Sequence, residues 1–254
     1  TTVLFGPFGA QTLGDWGAEL VKVEGLTGDQ WRYTGQFRNR GMSGQFMAAN
    51  RNKRSVAVDL KTADGAEVLR RLIARADALV TNIRPAALER LGFGYEACKA
   101  LNPKIIYAAA TGFGQDGPWA KRPAFDEIVQ ASSGLASSIG SDEEPAFVPS
   151  LVGDKLCGLA LAGAVAAALV YRERTGKGQL VEVPMLETVA AFNSIEMLGG
   201  HAFVPPIGPA GYKRVKERKP VKTRDGWLTM LPYSGENWCT FFETVGHPEC
   251  IEEF

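Results

Sequence analysis

Two hydrophobic periods alternate along this chain. Short apolar runs at Leu20 to Val23, Ser55 to Asp59, Ala78 to Val80, Ile105 to Ala109 and Gln179 to Val183 predict strands. Between them, apolar residues three and four apart predict helices over Ala10 to Glu19, after Thr62-Ala63-Asp64-Gly65 through Arg75, and over Met185 to Leu198. In the second of these, Val68, Leu69, Leu72 and Ile73 share one face. Pro85 to Arg90 reads as a helical turn opened by proline, and Gly6-Pro7 as a turn. Apolar strands separated by amphipathic helices point to a parallel sheet covered on both faces. The expected fold class is therefore α/β, a doubly wound and mainly parallel sheet.

One segment breaks this rhythm. Leu156 to Tyr171 (LCGLALAGAVAAALVY) is apolar on nearly every side, which predicts a helix in the core. It reads as too short and too rich in Ala and Gly for a membrane span. Thr175-Gly176-Lys177-Gly178 then makes a tight turn before the next strand.

After residue 198 the texture becomes Gly, Pro and a basic run from Lys213 to Lys219, which reads as a linker over 199–220. Arg224-Asp225-Gly226 between Val221 and Trp227 to Leu231 is a hairpin signal, and Glu236 to Val245 returns to helix. The expected organisation is a large α/β domain over residues 1–198 and, from 221 to 254, the start of a smaller α+β domain. Both ends read as cut, because Thr1 is not an initiator methionine and Phe254 stops soon after a helical pattern. No signal peptide is read at the start.

Composition narrows the classes. Of 254 residues, 45% are apolar, enough for one large core or two smaller ones. Acidic and basic residues balance at 28 each, which points away from nucleic-acid and membrane-surface partners. Cys98, Cys157, Cys239 and Cys250 lie far apart without CxxC pairing, as expected of reduced thiols in a cytoplasm. His201 and His247 have no second ligand at useful spacing, so no metal site is expected.

Asp154 is the first candidate for chemistry. In Val152-Gly153-Asp154-Lys155 a carboxylate, a flexible glycine and a helix start coincide. The alternative is an N-cap aspartate on a core helix. Cys157, Trp16 and Trp31 read as core residues. Gly112-Phe113-Gly114 lacks the spacing of a dinucleotide-binding loop, so no nicotinamide site is expected.

Six stretches taken in order resemble the class III CoA-transferase family, which also takes in carnitine CoA-transferase-like proteins and α-methylacyl-CoA racemases. They are GPFGAQTLGDWGAELVKVE (Gly6 to Glu24), NRNKRSVAVDLKT (Asn50 to Thr62), ALVTNIRPAALERLGFGYE (Ala78 to Glu96), LNPKIIYAAATGFGQDGP (Leu101 to Pro118), VGD (Val152 to Asp154) and RTGKGQLVEV (Arg174 to Val183). The family's opening strand before Gly6 and a large part of its smaller domain after Phe254 are missing from the match.

The resemblance implies a homodimer of interlocked rings and a transferase acting on acyl-CoA and a small carboxylic acid. Asp154 would attack the acyl-CoA carbonyl, giving an aspartyl-acyl anhydride and then an aspartyl-CoA thioester. The helix N-terminus would keep Asp154 ionised, and Gly153 would leave room for the thioester. Carried over residue by residue, the family's coenzyme A contacts fall on Leu4, Phe5, Val58, Lys61, Asn82, Ile83, Ala87 and Arg90. Arg90 reads either as a phosphate partner or as a surface charge with a neighbour, and Asn82 either as a ligand at a strand's carboxyl end or as a turn residue. Leu4 stands where some members carry a polar side chain. Lys213 to Lys219 could reach a CoA phosphate, or be a solvated surface.

The racemase branch is the main alternative, with a catalytically weak CoA-binding protein behind it. Racemases place a histidine opposite the aspartate, and here that position is Phe125, which carries no proton. Their glutamate aligns at Gly235, or at Glu236 if the alignment slips by one residue. Transferases commonly have tyrosine where Phe125 stands, so the ring is kept and a hydroxyl is lost.

Overall fold

A computed structural model describes residues 1–209 and 219–253. It divides into two compact units, Thr1–Ile195 and Glu196–Phe254. In the first, every strand pairing is parallel: β1 (Leu20–Glu24) lies beside β2 (Lys53–Ala57), and β4 (Ile106–Thr111) lies between β3 (Ala78–Thr81) and β5 (Gln179–Pro184). All of β4 is buried, because its alternating side chains feed two cores. Ala108 and Ala110 join Phe5, Leu13, Val129, Leu161 and Val165; Tyr107 and Ala109 join Leu69, Ile73, Leu88 and Phe93.

Helices therefore cover both faces of the three-stranded ladder. On one face lie α1 (Phe5–Asp15), α6 (Asp126–Ser132) and α8 (Val152–Thr175); on the other lie α3 (Ala63–Ile73), α4 (Pro85–Arg90) and α5 (Tyr95–Leu101). The parallel α/β character expected from the sequence is present.

Several boundaries differ from the pattern. α1 begins five residues before Ala10 and runs through Gly6-Pro7, because proline in a first helical turn gives up an N–H that has no partner there anyway. It stops at Asp15, and Gly17 follows at φ 102. Trp16 is 63% exposed rather than a core residue. In α3 the buried face is Gly65, Ala66, Leu69 and Ile73, while Val68 points outward. Two further helices, α2 (Gly44–Asn50) and α7 (Leu135–Ile139), have too few apolar positions to show a period.

α8 is longer than the apolar run that announced it. At 24 residues it is long and apolar enough, by length and composition alone, to cross a membrane. Here Cys157, Leu161, Ala162 and Val165 pack it into the core, while Leu159, Val170 and Tyr171 are about half exposed.

α9 (Met185–Met197) follows β5. The second unit holds a short antiparallel pair, β6 (Val221–Lys222) and β7 (Trp227–Leu228), closed where the Thr223 N–H meets the Gly226 carbonyl at 2.9 Å. In α10 (Gly235–Thr244), Ser234 and Asn237 form a capping box. Of the basic run, residues 213–218 lie outside the described residues.

Candidate functional site

Two helices that each lead into a parallel strand place the site. α1 precedes β1 and α8 precedes β5, so both run antiparallel to the strands and begin at the strands' carboxyl ends. Ligands of open α/β sheets bind at that edge. The two helices approach closely at Gly9 and Gly158. A methyl group at Gly158 would lie 2.9 Å from the Phe8 ring and 3.1 Å from both the Gly9 nitrogen and the Phe5 carbonyl oxygen. Glycine lets the helices come this close, and the contact sets the start of α1 beside the first turn of α8.

Asp154 stands in that first turn as its third residue, not at the N-cap, which is Leu151. Its own N–H is satisfied from another helix: Asp126, the first residue of α6, accepts it through Oδ2 at 2.8 Å. Gly153 makes room for this, since a methyl group there would sit 3.1 Å from the same oxygen. The space kept by Gly153 is thus turned toward Asp126.

The helix terminus does not keep Asp154 an ordinary ionised carboxylate. Burial pushes its pKa up to about 6, and the negative charges of Asp126 and Glu127 add to this, against a backbone hydrogen bond from Phe5 that pulls it down. The expected effect of the helix N-terminus is outweighed by loss of water. A carboxyl near 6 remains mostly ionised at neutral pH, and it is more basic than a solvated one. Cys157, one turn later, is fully buried and its thiol is pushed up to about 12, again mainly by burial. It is a core residue, not a nucleophile.

The segment that delivers Leu4 and Phe5 is held by buried charges. Asp29 Oδ1 accepts from the Thr2 hydroxyl at 2.9 Å and the Val3 N–H at 3.2 Å. Its Oδ2 pairs with the Lys22 ammonium at 2.9 Å, both side chains almost wholly buried. Burial alone would raise the Asp29 pKa, but Lys22 and the backbone donors hold it below the usual range. Arg32 clasps Glu24 through both carboxylate oxygens at 2.7 Å. Lys22 and Glu24 are the buried residues of β1, charges where the strand pattern leads one to expect apolar side chains. That reversal was a readable signal for this cluster.

Asn82, just beyond β3, is committed to the same segment. Its Oδ1 accepts the Thr2 N–H at 2.8 Å and its Nδ2 donates to the Thr2 carbonyl at 2.7 Å. Its carboxamide also packs against Gly6. Leu4 and Phe5 are buried, and Ile83 is 40% exposed. Val58 extends the β1–β2 pairing by donating to the Glu24 carbonyl. Lys61 follows β2, Ala87 lies in α4, and Arg90 ends α4; both cations are exposed. The structure thus brings Phe5, Asn82, Gly153 and Asp154 around the starts of α1 and α8, with Lys61 and Arg90 outside this group.

Phe125, the N-cap position of α6, is 65% exposed. The Gly112-Phe113-Gly114 loop is tied down by carboxylates: Gly114 N–H to Glu187 at 2.8 Å, Gln115 N–H to Glu182 at 3.0 Å. Those N–H groups are taken, which removes them as phosphate ligands. Among the described residues, no three His, Cys, Asp or Glu side chains gather as a metal-binding group. Glu236 lies in α10 of the second unit.

The sequence profile of CoA-transferase family III matches residues 1–254. An acyl-CoA transferase of Fusarium pseudograminearum is 42% identical over 196 residues, covering 73% of this chain and 43% of that protein. A succinate–glutarate CoA-transferase of Agrobacterium fabrum is 36% identical over 242 residues, covering 90% of this chain and 60% of that protein. The crystal structure of a CaiB/BaiF family protein from Brucella suis is similar at a TM-score of 0.87 and 30% identity, covering 99% of this chain and 68% of that one. The chain thus spans less than two thirds of the length of these two curated relatives.

Proposed function

This chain belongs to CoA-transferase family III, and we propose that its protein moves coenzyme A from an acyl-CoA to a carboxylic acid with Asp154 as nucleophile. A carboxylate oxygen of Asp154 attacks the acyl carbonyl carbon, the C–S bond breaks, and CoA leaves as thiolate from a mixed anhydride. The thiolate then attacks the aspartyl carbonyl and expels the donor acid. The acceptor acid attacks the resulting aspartyl-CoA thioester, and the released thiolate takes up the new acyl group, restoring the carboxylate. No oxidant, metal or water enters the balance.

The observation that carries this reading is the setting of Asp154. It is half-buried in a helix's first turn, at the carboxyl ends of parallel strands, beside the Phe5 backbone, with its pKa raised to about 6. Loss of water strengthens a weak nucleophile, and the close start of α1 fixes its position. The coenzyme is proposed to lie along Leu4, Phe5, Val58, Ile83 and Ala87, with Lys61 and Arg90 offering exposed cations to its phosphates. Asn82 contributes by holding the segment that carries Leu4 and Phe5. Phe125 offers no group for proton transfer, which argues against the two-base racemase reaction.

A homodimer is part of the proposal. Leu159, Val170, Tyr171 and Phe192 are about half exposed and Ile195 more so on α8 and α9, and a second copy of this chain would cover them. The expected place of action is the cytoplasm, with its four cysteines as free thiols. Succinyl-CoA with glutarate is the first pair to try, given the name of the Agrobacterium relative. Incubating the full-length protein with acyl-CoAs and free acids, and reading exchange by mass spectrometry, tests the function. Exchange with at least one pair is expected; CoA binding without exchange across a broad panel would overturn it.

A further inference from the structure

Gln130 is buried on α6, one turn after Asp126, and its carboxamide is used at both ends. Nε2 donates to Asp126 Oδ1 at 2.6 Å and lies 3.4 Å from the Val148 and Ser150 carbonyls. Oε1 accepts the Val148 N–H at 2.8 Å. The other oxygen of Asp126 accepts the Asp154 N–H. One side chain therefore holds the loop that enters α8 and the carboxylate that caps it. The terminal torsion of an aspartate is soft, so its hydrogen bonds decide where each oxygen points. Fully satisfied, such a buried polar network becomes rigid.

We propose that Gln130 is a positioning residue for the Asp154 nucleophile: it aims Asp126 at the Asp154 N–H and so fixes where the Asp154 carboxylate is presented. The inference rests on the reading of Asp154 as nucleophile. Around Asp126, the titratable groups are Asp154 and Cys157 from α8 and Glu127 from α6, while the Lys155 ammonium makes an exposed hydrogen bond to the Ser150 hydroxyl. The Gln130 carboxamide has no charge to titrate, so pH alone does not disturb the arrangement at this residue.

Gln130→Glu in the full-length protein turns that constancy into a test. While protonated, the introduced carboxyl keeps one donor for Asp126 and one acceptor for Val148. Once ionised, it loses the donor and opposes Asp126 at hydrogen-bond distance. The expected kcat is close to wild type on the acidic side and falls roughly 100-fold as pH rises, the scale of a misplaced catalytic group, with the KM for acyl-CoA little changed. Ionisation of a carboxyl buried against Asp126 also lowers stability as pH rises, so the thermal midpoint is followed over the same pH range and rates are compared only where both proteins are fully folded. A pH profile parallel to wild type, or a loss of rate that only tracks unfolding, would overturn the proposal.

If that variant does not fold, Gln130→Met replaces it, keeping the length and removing both hydrogen-bonding atoms. Lower kcat at unchanged KM supports the role, and an unchanged kcat removes it. Asp154→Asn is measured alongside. A fully active Asp154→Asn variant sinks the nucleophile reading itself, whereas an inactive one beside an undisturbed Gln130→Glu profile sinks only this inference.

Discussion

Gly9 and Gly158 meet where α1 crosses α8, and no side chain fits between them: a methyl group on Gly9 would stand 2.7 Å from the Gly158 carbonyl oxygen. This contact joins the sequence to the chemistry, because it sets the Phe5 backbone beside Asp154. Gly158→Ala crowds the Phe8 ring and the Gly9 and Phe5 backbone, and overpacking of this kind costs about 1–3 kcal/mol. Exchange activity should fall further than that stability loss explains, which denaturant unfolding and steady-state kinetics on one preparation will check. Wild-type kcat in a destabilised Gly158→Ala protein would show that the close approach serves packing alone.

Asp154 also makes a signed prediction about pH. Its folded pKa of about 6 lies above the ordinary value of 3.8, so between these values the native state binds more protons than the unfolded one. This group's contribution to stability therefore falls as pH rises through that window. Asp154→Asn removes the contribution, so its stability relative to wild type should improve from pH ~4 to pH ~7. Denaturant midpoints of the two proteins across that range measure it, and a difference that stays flat would show that the carboxyl is not buried as described. In the active wild type, kcat should rise as pH passes about 6, because only the carboxylate attacks.

Lys22 and Asp29 form a buried ion pair, so removing one partner strands the other. Asp29→Asn should cost about 3–5 kcal/mol, the usual penalty for an unpaired buried charge. The held-down pKa of Asp29 means its stabilisation is present above the unfolded-state pKa and is lost as pH falls through the lower folded value. Urea unfolding near neutral pH is the check. A cost below about 1 kcal/mol would mean that water reaches the pair.

Asn82→Ala removes both hydrogen bonds to Thr2, and two such bonds sum to about 1–3 kcal/mol. Because the freed segment carries Leu4 and Phe5, the dissociation constant for CoA should weaken as well, by about tenfold for each ~1.4 kcal/mol of lost binding energy. Calorimetric titration with CoA distinguishes this from a simple turn residue, for which affinity would stay at the wild-type value.

The sequence made some of this legible and hid the rest for physical reasons. The parallel strands and the Asp154 helix were readable because apolar runs and helical periods are local signals. Asp126 and Gln130 were not, because α6 is a seven-residue helix whose role depends on a loop 18 residues later and a helix 28 residues later. The shifted start of α1 was missed because Gly-Pro signals a turn unless it falls in a first helical turn. The raised pKa of Asp154, about 6 and so leaving it mostly ionised at neutral pH, was not legible because a sequence does not display burial.

The central claim is that Asp154 becomes covalently activated, and trapping tests it most directly. The full-length protein is incubated with acyl-CoA and hydroxylamine, digested, and the peptide containing Asp154 is weighed. Hydroxylamine attacks an anhydride or thioester at the aspartyl carbonyl and leaves a hydroxamate there, displacing the acid or thiol. The account predicts hydroxamate at Asp154 that depends on acyl-CoA, with parallel loss of exchange. Continued exchange with an unmodified Asp154, or a hydroxamate on another residue, would contradict it.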